Sequence, residues 1–374
     1  MKALILHYAN PGACPPIMRV GRLLRRRGHR VRVIGLARAA DLYLSTPKDC
    51  ADELRLVGGK THRRGWDLIR FALAIASALI RFRPDVVYVS DPRTCVAFSI
   101  FGHLTSAKII YHEHDAPRAG DVKAQRLARS LVARKAIACI TPNEMRSRLL
   151  AESAARGRPV LTVWNCPDQA DLERLTRHQG EAAARPIRVV YAGSLGAAKT
   201  PHALLEALAL APAARLSLIG YETRSARGFS DAFRAKAKAL GVGDRVTIEG
   251  PLDHAALLLR LPRFHAAFVA FPLDTDDANL LHMAGASNKT FEALAGGLGL
   301  IVNTSEAWRT MFVDRGVALA CDPSDAHSIA IALNTLAKDA QGLRRMAERG
   351  RRLVQTHWRF ERQFEKALPY LEAA

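Results

Sequence analysis

Apolar residues along this chain fall into two patterns. Short unbroken apolar runs read as buried strands, and they alternate with longer stretches in which apolar positions recur every three or four residues. Strands are predicted at residues 2–7, 31–35, 54–57, 85–89, 108–111, 136–140 and 159–164, with helices between several of them, notably over 17–27, 66–82 and 122–134. Residues 165–186 turn polar and hold Pro167 and Pro186, as an interdomain linker would. The pattern then restarts, with strands predicted at 187–192, 215–219, 245–248, 266–271 and 298–302, and mostly amphipathic helix over 326–373. Strand–helix alternation of this kind predicts a doubly wound parallel sheet, here twice in series. The division expected is a first domain over 1–170, a linker over 171–186, a second domain over 187–354, and a final helix over 355–374 that returns to the first domain.

Chemistry concentrates in two loops. The chain after the first strand, Asn10-Pro11-Gly12-Ala13-Cys14-Pro15-Pro16, lies at the C-terminal edge of a parallel sheet, where open α/β folds bind ligands. Gly12 would let that loop approach a ligand closely. It lacks Gly-x-Gly-x-x-Gly, which argues against a nicotinamide cofactor. The second loop opens residues 284–303, in which Gly285 gives a turn, Ser287 or Asn288 caps a helix from 289 to 295, and Gly296-Gly297 ends it. A small-residue loop feeding a helix start offers backbone N–H groups and the positive end of a dipole, a place for a diphosphate with Lys289 adding charge. Glu292, one turn on, is placed to accept hydrogen bonds from ribose hydroxyls. An ordinary helix and strand would use the same residues.

Composition narrows the partners. The net charge is +20, and residues 1–170 carry 29 Lys/Arg against 13 Asp/Glu, so the first domain holds most of it. That points to nucleic acid, an anionic membrane surface or an anionic substrate. With 6% aromatic residues and none interleaved among the cations, single-strand binding is disfavoured. The six cysteines are scattered without a Cys-x-x-Cys pair, as expected of reduced thiols in a cytoplasmic protein without a cysteine-held metal. The longest apolar run, 71–80, is far short of the roughly 20 residues that span a bilayer. The helix over 66–82, ringed by arginines, reads either as packed on the sheet or as lying on a membrane surface. Asp274-Thr275-Asp276 reads as a solvated loop rather than a metal site.

Several segments, in order, resemble the GT-B glycosyltransferases of family 4, the retaining enzymes that use nucleotide sugars. They are Tyr191-Ala192-Gly193-Ser194-Leu195 with Lys199, Ser287-Asn288-Lys289-Thr290-Phe291-Glu292 with Gly296 and Gly297, Cys321-Asp322-Pro323-Ser324-Asp325, Leu343-Arg344-Arg345-Met346 and Thr356-His357-Trp358. In the first domain, Tyr111-His112-Glu113-His114-Asp115 is similar to the segment that ends a strand facing the family's cleft. The resemblance implies two Rossmann-like domains facing a cleft. It implies a catalytic pair at His114 and Asp115, and donor contacts from Gly193, Ser194, Lys199, Ser287, Asn288, Lys289 and Glu292, with Gly12 in the facing loop.

Two positions depart from the family pattern. Ala284 stands where a first motif glutamate is usual, and Ser194 where an arginine often flanks the diphosphate. What the resemblance implies is transfer of a hexose from a UDP- or GDP-sugar to a glycan, lipid-linked or other hydroxyl acceptor. Configuration is retained, with no metal and no cofactor beyond the donor. The enzyme would be cytoplasmic and peripheral on the inner face of the membrane, through an arginine cluster over residues 19–32. A GT-B nucleotide-sugar epimerase, or a basic binding protein without catalysis, are the competing readings.

Overall fold

In the computed structural model, residues 1–38, 48–59, 64–118, 120, 122–176 and 186–372 are described. The chain divides into two compact units: residues 1–165 with 360–374, and residues 166–359.

The first unit is built on seven strands, β1 (Lys2–His7), β2 (Arg30–Arg38), β3 (Glu53–Gly59), β4 (Val86–Ser90), β5 (Lys108–His112), β6 (Ala138–Thr141) and β7 (Val160–Thr162). They lie in the order β3-β2-β1-β4-β5-β6-β7, and every pair is parallel. A parallel sheet buried on both faces needs apolar residues at odd and even positions alike, and β1 supplies them. Leu4 and Leu6 pack into the core beneath α2 (Arg64–Phe82), α3 (Asp91–Phe101) and α4 (Lys123–Lys135). Ala3 and Ile5 pack into the opposite core with Ile17, Met18 and Val20 of α1 (Pro15–Arg26).

Residues 360–372 complete that second layer. Phe360, Phe364, Ala367 and Leu371 are buried against β1 and the Pro15–Arg26 helix. Ion pairs Arg26–Glu361 at 3.2 Å and Arg27–Glu372 at 2.6 Å pin the segment from outside. Arg27 and His29 hold the Glu372 carboxyl down to about 2.

The second unit repeats the plan with six strands: β8 (Ile187–Leu195), β9 (Ala214–Glu222), β10 (Val246–Glu249), β11 (Ala266–Phe268), β12 (Gly299–Asn303) and β13 (Ala318–Cys321). Their order is β10-β9-β8-β11-β12-β13, again all parallel. The strand β13 was not expected. It is four residues long, and Ala318 and Ala320 give it little of the β-branched signal that marks a strand. Residues 169–176, inside or beside the expected linker, form the helix Gln169–Thr176, and Asp171 on it is fully buried. Residues 177–185 of that linker lie outside the described residues. Among the described residues no helix is long and apolar enough to cross a membrane.

The arginine cluster expected to meet headgroups is largely committed within the protein. Arg19 and Arg22 are buried, at 0% and 2% exposure, and Arg19 donates to the Asn165 carbonyl. Arg25 pairs with Asp52, Arg26 with Glu361, Arg27 with Glu372, and both Arg30 and Arg32 with Glu53. Carboxylates distant in sequence fold back onto this cluster.

Candidate functional site

Each unit brings a group of polar side chains to the C-terminal edge of its sheet. In the first unit the strand order reverses between β1 and β4, the place where open α/β sheets carry ligands. Register sets His7 beside Ser90, and Ser90 beside His112, in one row at the strand ends. His7 Nδ1 lies 2.5 Å from Ser90 Oγ, and the Tyr88 hydroxyl bonds His112 Nδ1. His114, two residues past His112, packs against it with ring centroids 3.8 Å apart and the planes tilted by 41°. His112 Nε2 and both ring nitrogens of His114 are buried with no hydrogen-bond partner. Buried ring nitrogens left unmet call for an explanation, and hydroxyls of a ligand would supply them with partners.

Burial lowers the His7 imidazole to about 4 and His112 to about 3, and pushes His114 well below its usual range, with His112, His7 and Arg146 adding to the effect. All three rings are neutral at physiological pH, so they act through hydrogen bonds rather than charge.

Asp91 holds this group in place. Its backbone sits at φ +67°, a left-handed conformation uncommon outside glycine. Its Oδ1 accepts the His114 amide at 2.8 Å and the Asp115 amide at 3.4 Å. Desolvation and the neighbouring Asp115 raise its carboxyl to about 8. Asp115 itself is exposed. Glu113 points elsewhere, into a buried pair with Arg129 (2.5 and 2.9 Å) that also receives the Tyr111 hydroxyl. Gly12 is buried in a turn over Pro11–Ala13, where its amide is donated to Asn10 Oδ1 at 2.9 Å. That amide is therefore engaged within the loop.

In the second unit the loop after β8 and the helix Asn288–Ala295 converge. Gly193 has φ +136°, and a Cβ there would lie 2.3 Å from Lys289 Cε, so the Lys289 side chain runs across this glycine. Gly220 faces Gly193 in register on β9, and a Cβ at Gly220 would strike the Gly193 carbonyl at 1.7 Å. Both positions must stay bare for the strand end and the lysine to share the space. The Lys289 ammonium lies 5.6 Å from the Tyr191 ring centroid and 6.0 Å from that of Phe271, within reach of cation–π attraction. Lys199 Nζ donates to Ser194 Oγ at 2.6 Å, which brings a cation to the very position where the resemblance lacked one.

At the helix start, Ser287 is the N-cap residue but its hydroxyl makes no capping bond. Ser287 Oγ and, one turn in, Thr290 Oγ1 are buried without a partner. The amides of Ala286 and Ser287, expected to face a phosphate, are donated to the Met283 carbonyl at 3.0 Å each. Those two amides are therefore engaged within the turn itself.

Glu292 is buried, at 2% exposure, and its Oε1 meets His254 Nε2 at 2.9 Å, while His254 Nδ1 lies 3.9 Å from Asp171 Oδ1. Sequence reasoning missed His7, Ser90, Asp91, His254 and Asp171. His7 and the Ser90-Asp91 pair stood at the ends of predicted strands, where a polar residue closing an apolar run is a usable signal. His254 and Asp171 carried none, because only the tertiary fold brings them to Glu292. Asp277, beside the Asp-x-Asp run, caps a short helix by accepting the Asn279 amide.

Two doubly wound parallel sheets in series, each with its polar group at the strand C-termini, define the GT-B class of proteins. Family models agree over most of the chain: residues 12–166 match the glycosyl transferase 4-like domain and residues 173–353 the glycosyl transferases group 1 domain. The chain belongs to this family of glycosyltransferases.

Its fold is similar to sucrose-phosphate synthase from Thermosynechococcus elongatus, with a TM-score of 0.75 and 15% identity over 100% of this chain and 99% of that one. It is also similar to Anabaena HepE in complex with UDP and glucose, with a TM-score of 0.76 and 17% identity over the whole of both chains. WaaG, a glycosyltransferase involved in lipopolysaccharide biosynthesis, gives 0.67 and 14% over the whole of both chains. No curated protein matches the sequence.

Proposed function

We propose that this glycosyltransferase moves a hexose from a nucleotide-diphosphate sugar to a hydroxyl acceptor with retention of configuration. The observation that carries the reading lies in the second unit: Lys289 runs across bare Gly193, Lys199 bonds the adjacent Ser194, and the hydroxyls of Ser287 and Thr290 at the same helix start are buried without a partner. Two ammonium groups and two unmet hydroxyls suit a diphosphate, whose charge grows as the glycosidic bond to it breaks. HepE has been crystallised with UDP and with UDP-glucose, which supports a uridine donor here.

In this reading Asn288 lies beside the same diphosphate and Glu292, oriented by His254, accepts from the ribose. His114, neutral and with both ring nitrogens unmet, hydrogen-bonds hydroxyls of the transferred sugar. The acceptor hydroxyl attacks from the face the nucleotide leaves, and the departing phosphate oxygen takes its proton. No carboxylate pair is then needed as acid and base, and no cofactor beyond the donor. Asp115, exposed beside His114, is assigned to the acceptor side. The acceptor is a glycan or lipid-linked hydroxyl compound at the cytoplasmic surface of the membrane, and nucleic acid is not a partner.

Incubating the enzyme with a panel of UDP-, GDP- and ADP-sugars and following slow hydrolysis tests this directly. One donor should be turned over well above the rest, and the anomer released should match the donor. Inversion, or no hydrolysis of any donor together with no binding of any nucleotide, would defeat the assignment.

A further inference from the structure

Large apolar side chains stand exposed on the outer faces of three neighbouring helices of the first unit. On α2 they are Trp66, Ile69, Leu73 and Ile80, a spacing of three, four and seven that keeps them on one side of the helix. Ile100, one residue before the end of α3, lies in the same layer, and Leu104 follows it. On α4, Lys123, Leu127, Leu131 and Lys135 recur every fourth residue, an apolar pair closed at both ends by an ammonium group. Trp66 is 57% exposed, Ile80 61% and Leu127 64%, values far from those of a helix face that belongs to a core. The inner faces of the same helices are buried against β1, β4 and β5, so the outer faces are surplus to the fold.

The charge on this layer has one sign. Arg70, Arg81, Arg93, Lys123 and Lys135 are exposed, and among the described residues none of them has a carboxylate partner. The acidic residues of these helices are withdrawn: Asp67 is buried, and Asp91 is bound to the His114 amide. This differs sharply from Arg25 to Arg32, where each arginine meets an acid.

We infer that the outer face of α2, α3 and α4 docks on an anionic lipid surface. The apolar side chains would enter the headgroup boundary and the unpaired cations would meet lipid phosphates. Complementarity selects this occupant. A lipid surface supplies negative charge and an apolar layer together, and an anionic leaflet attracts each Lys or Arg near it. A tryptophan at the edge of such a face, half apolar and half polar, suits the same boundary. The inference names the surface by which the proposed lipid-linked acceptor is reached, but it stands on residues apart from the donor group.

The test is flotation of the full chain with vesicles of phosphatidylcholine containing one-third phosphatidylglycerol, against phosphatidylcholine alone, at low and high salt. Binding is expected to the anionic vesicles, at least tenfold weaker on neutral ones and weakened by salt, with a blue shift of emission that Trp66→Phe removes. The pair Leu127→Glu with Leu131→Glu, and separately Lys123→Glu with Lys135→Glu, should each reduce binding at least tenfold. Arg27→Glu, in the paired cluster, should not. UDP binding should be unchanged in all of these variants, so failure here is separable from failure of the donor assignment. Equal recovery on both vesicle types, or no effect of the α4 substitutions, overturns the inference. A concentration-dependent dimer that the α4 substitutions abolish would assign the face to a second copy of the chain and overturn it equally.

Discussion

The two units share a plan and differ in what they leave unsatisfied. Each lays parallel strands in one sheet and gathers polar side chains where the strand order reverses. In the first unit the group is uncharged at neutral pH: three histidines held neutral by burial, with an aspartate whose proton is retained up to about pH 8. In the second it is cationic, with Lys289 and Lys199 beside buried hydroxyls. One group suits the hydroxyls of a sugar and the other the charge of a diphosphate. The surfaces reverse this order, since the first unit carries most of the net charge and most of the exposed large apolar side chains. A charge count over a domain therefore says little about its site, because paired arginines and site lysines weigh the same in the sum.

Adjacent residues of the first unit give the largest separable effects. Glu113→Ala strands the buried Arg129 guanidinium and should lower stability by about 3–5 kcal/mol, read by chemical denaturation. His114→Ala should leave stability nearly unchanged and lower turnover roughly 100-fold or more, the cost of losing a group that contacts the reacting centre. Nucleotide affinity should persist in the second variant. Loss of both stability and turnover in His114→Ala would make it a core residue like its neighbour.

The second unit gives the next effects. Lys289→Ala should weaken nucleotide-diphosphate binding by about 1.5–3 kcal/mol, the range for a hydrogen bond to a charged group. Gly193→Ala should act in the same direction, because a methyl group there displaces the lysine. Intact affinity in either variant would remove Lys289 from the diphosphate.

Smaller effects distinguish, by pH, two carboxylates of the first unit. Asp91 titrates near 8 in the folded chain and near 3.8 when unfolded. Its contribution is therefore full below about pH 4 and declines as pH rises through 8. Asp91→Asn keeps an acceptor for the His114 amide and should grow more stable relative to the parent across that window. A constant difference from pH 4 to 9 would contradict the raised carboxyl. Glu372 has the opposite sign: with its carboxyl held down to about 2 from 4.5, its contribution is full above about pH 4.5 and is lost as pH falls toward 2. Glu372→Gln should flatten that acid limb, and this is the smallest effect of the set.

Much of this was legible in the chain. Strands such as β1, with five consecutive buried residues, announce themselves because both faces are covered and the run is unbroken. The helix at Asn288 was visible from Ser287 and Gly296-Gly297. What the sequence could not reveal depends on long-range pairing. Glu53 neutralises Arg30 and Arg32 only once β3 lies beside β2, and His254 reaches Glu292 only across the folded unit. Likewise the amides of Ala286 and Ser287 were legible as donors, but their capture by the Met283 carbonyl belongs to the turn the loop adopts.

The account rests on a diphosphate held by Lys289 at the start of the helix Asn288–Ala295. Titration calorimetry of uridine, UMP and UDP with the wild-type chain and with Lys289→Ala measures that most directly. The account predicts that affinity in the wild type rises steeply from uridine to UDP, by about 100-fold or more, and that the substitution removes most of the rise. Affinities that do not depend on the phosphates, or a rise that survives the substitution unchanged, would contradict it.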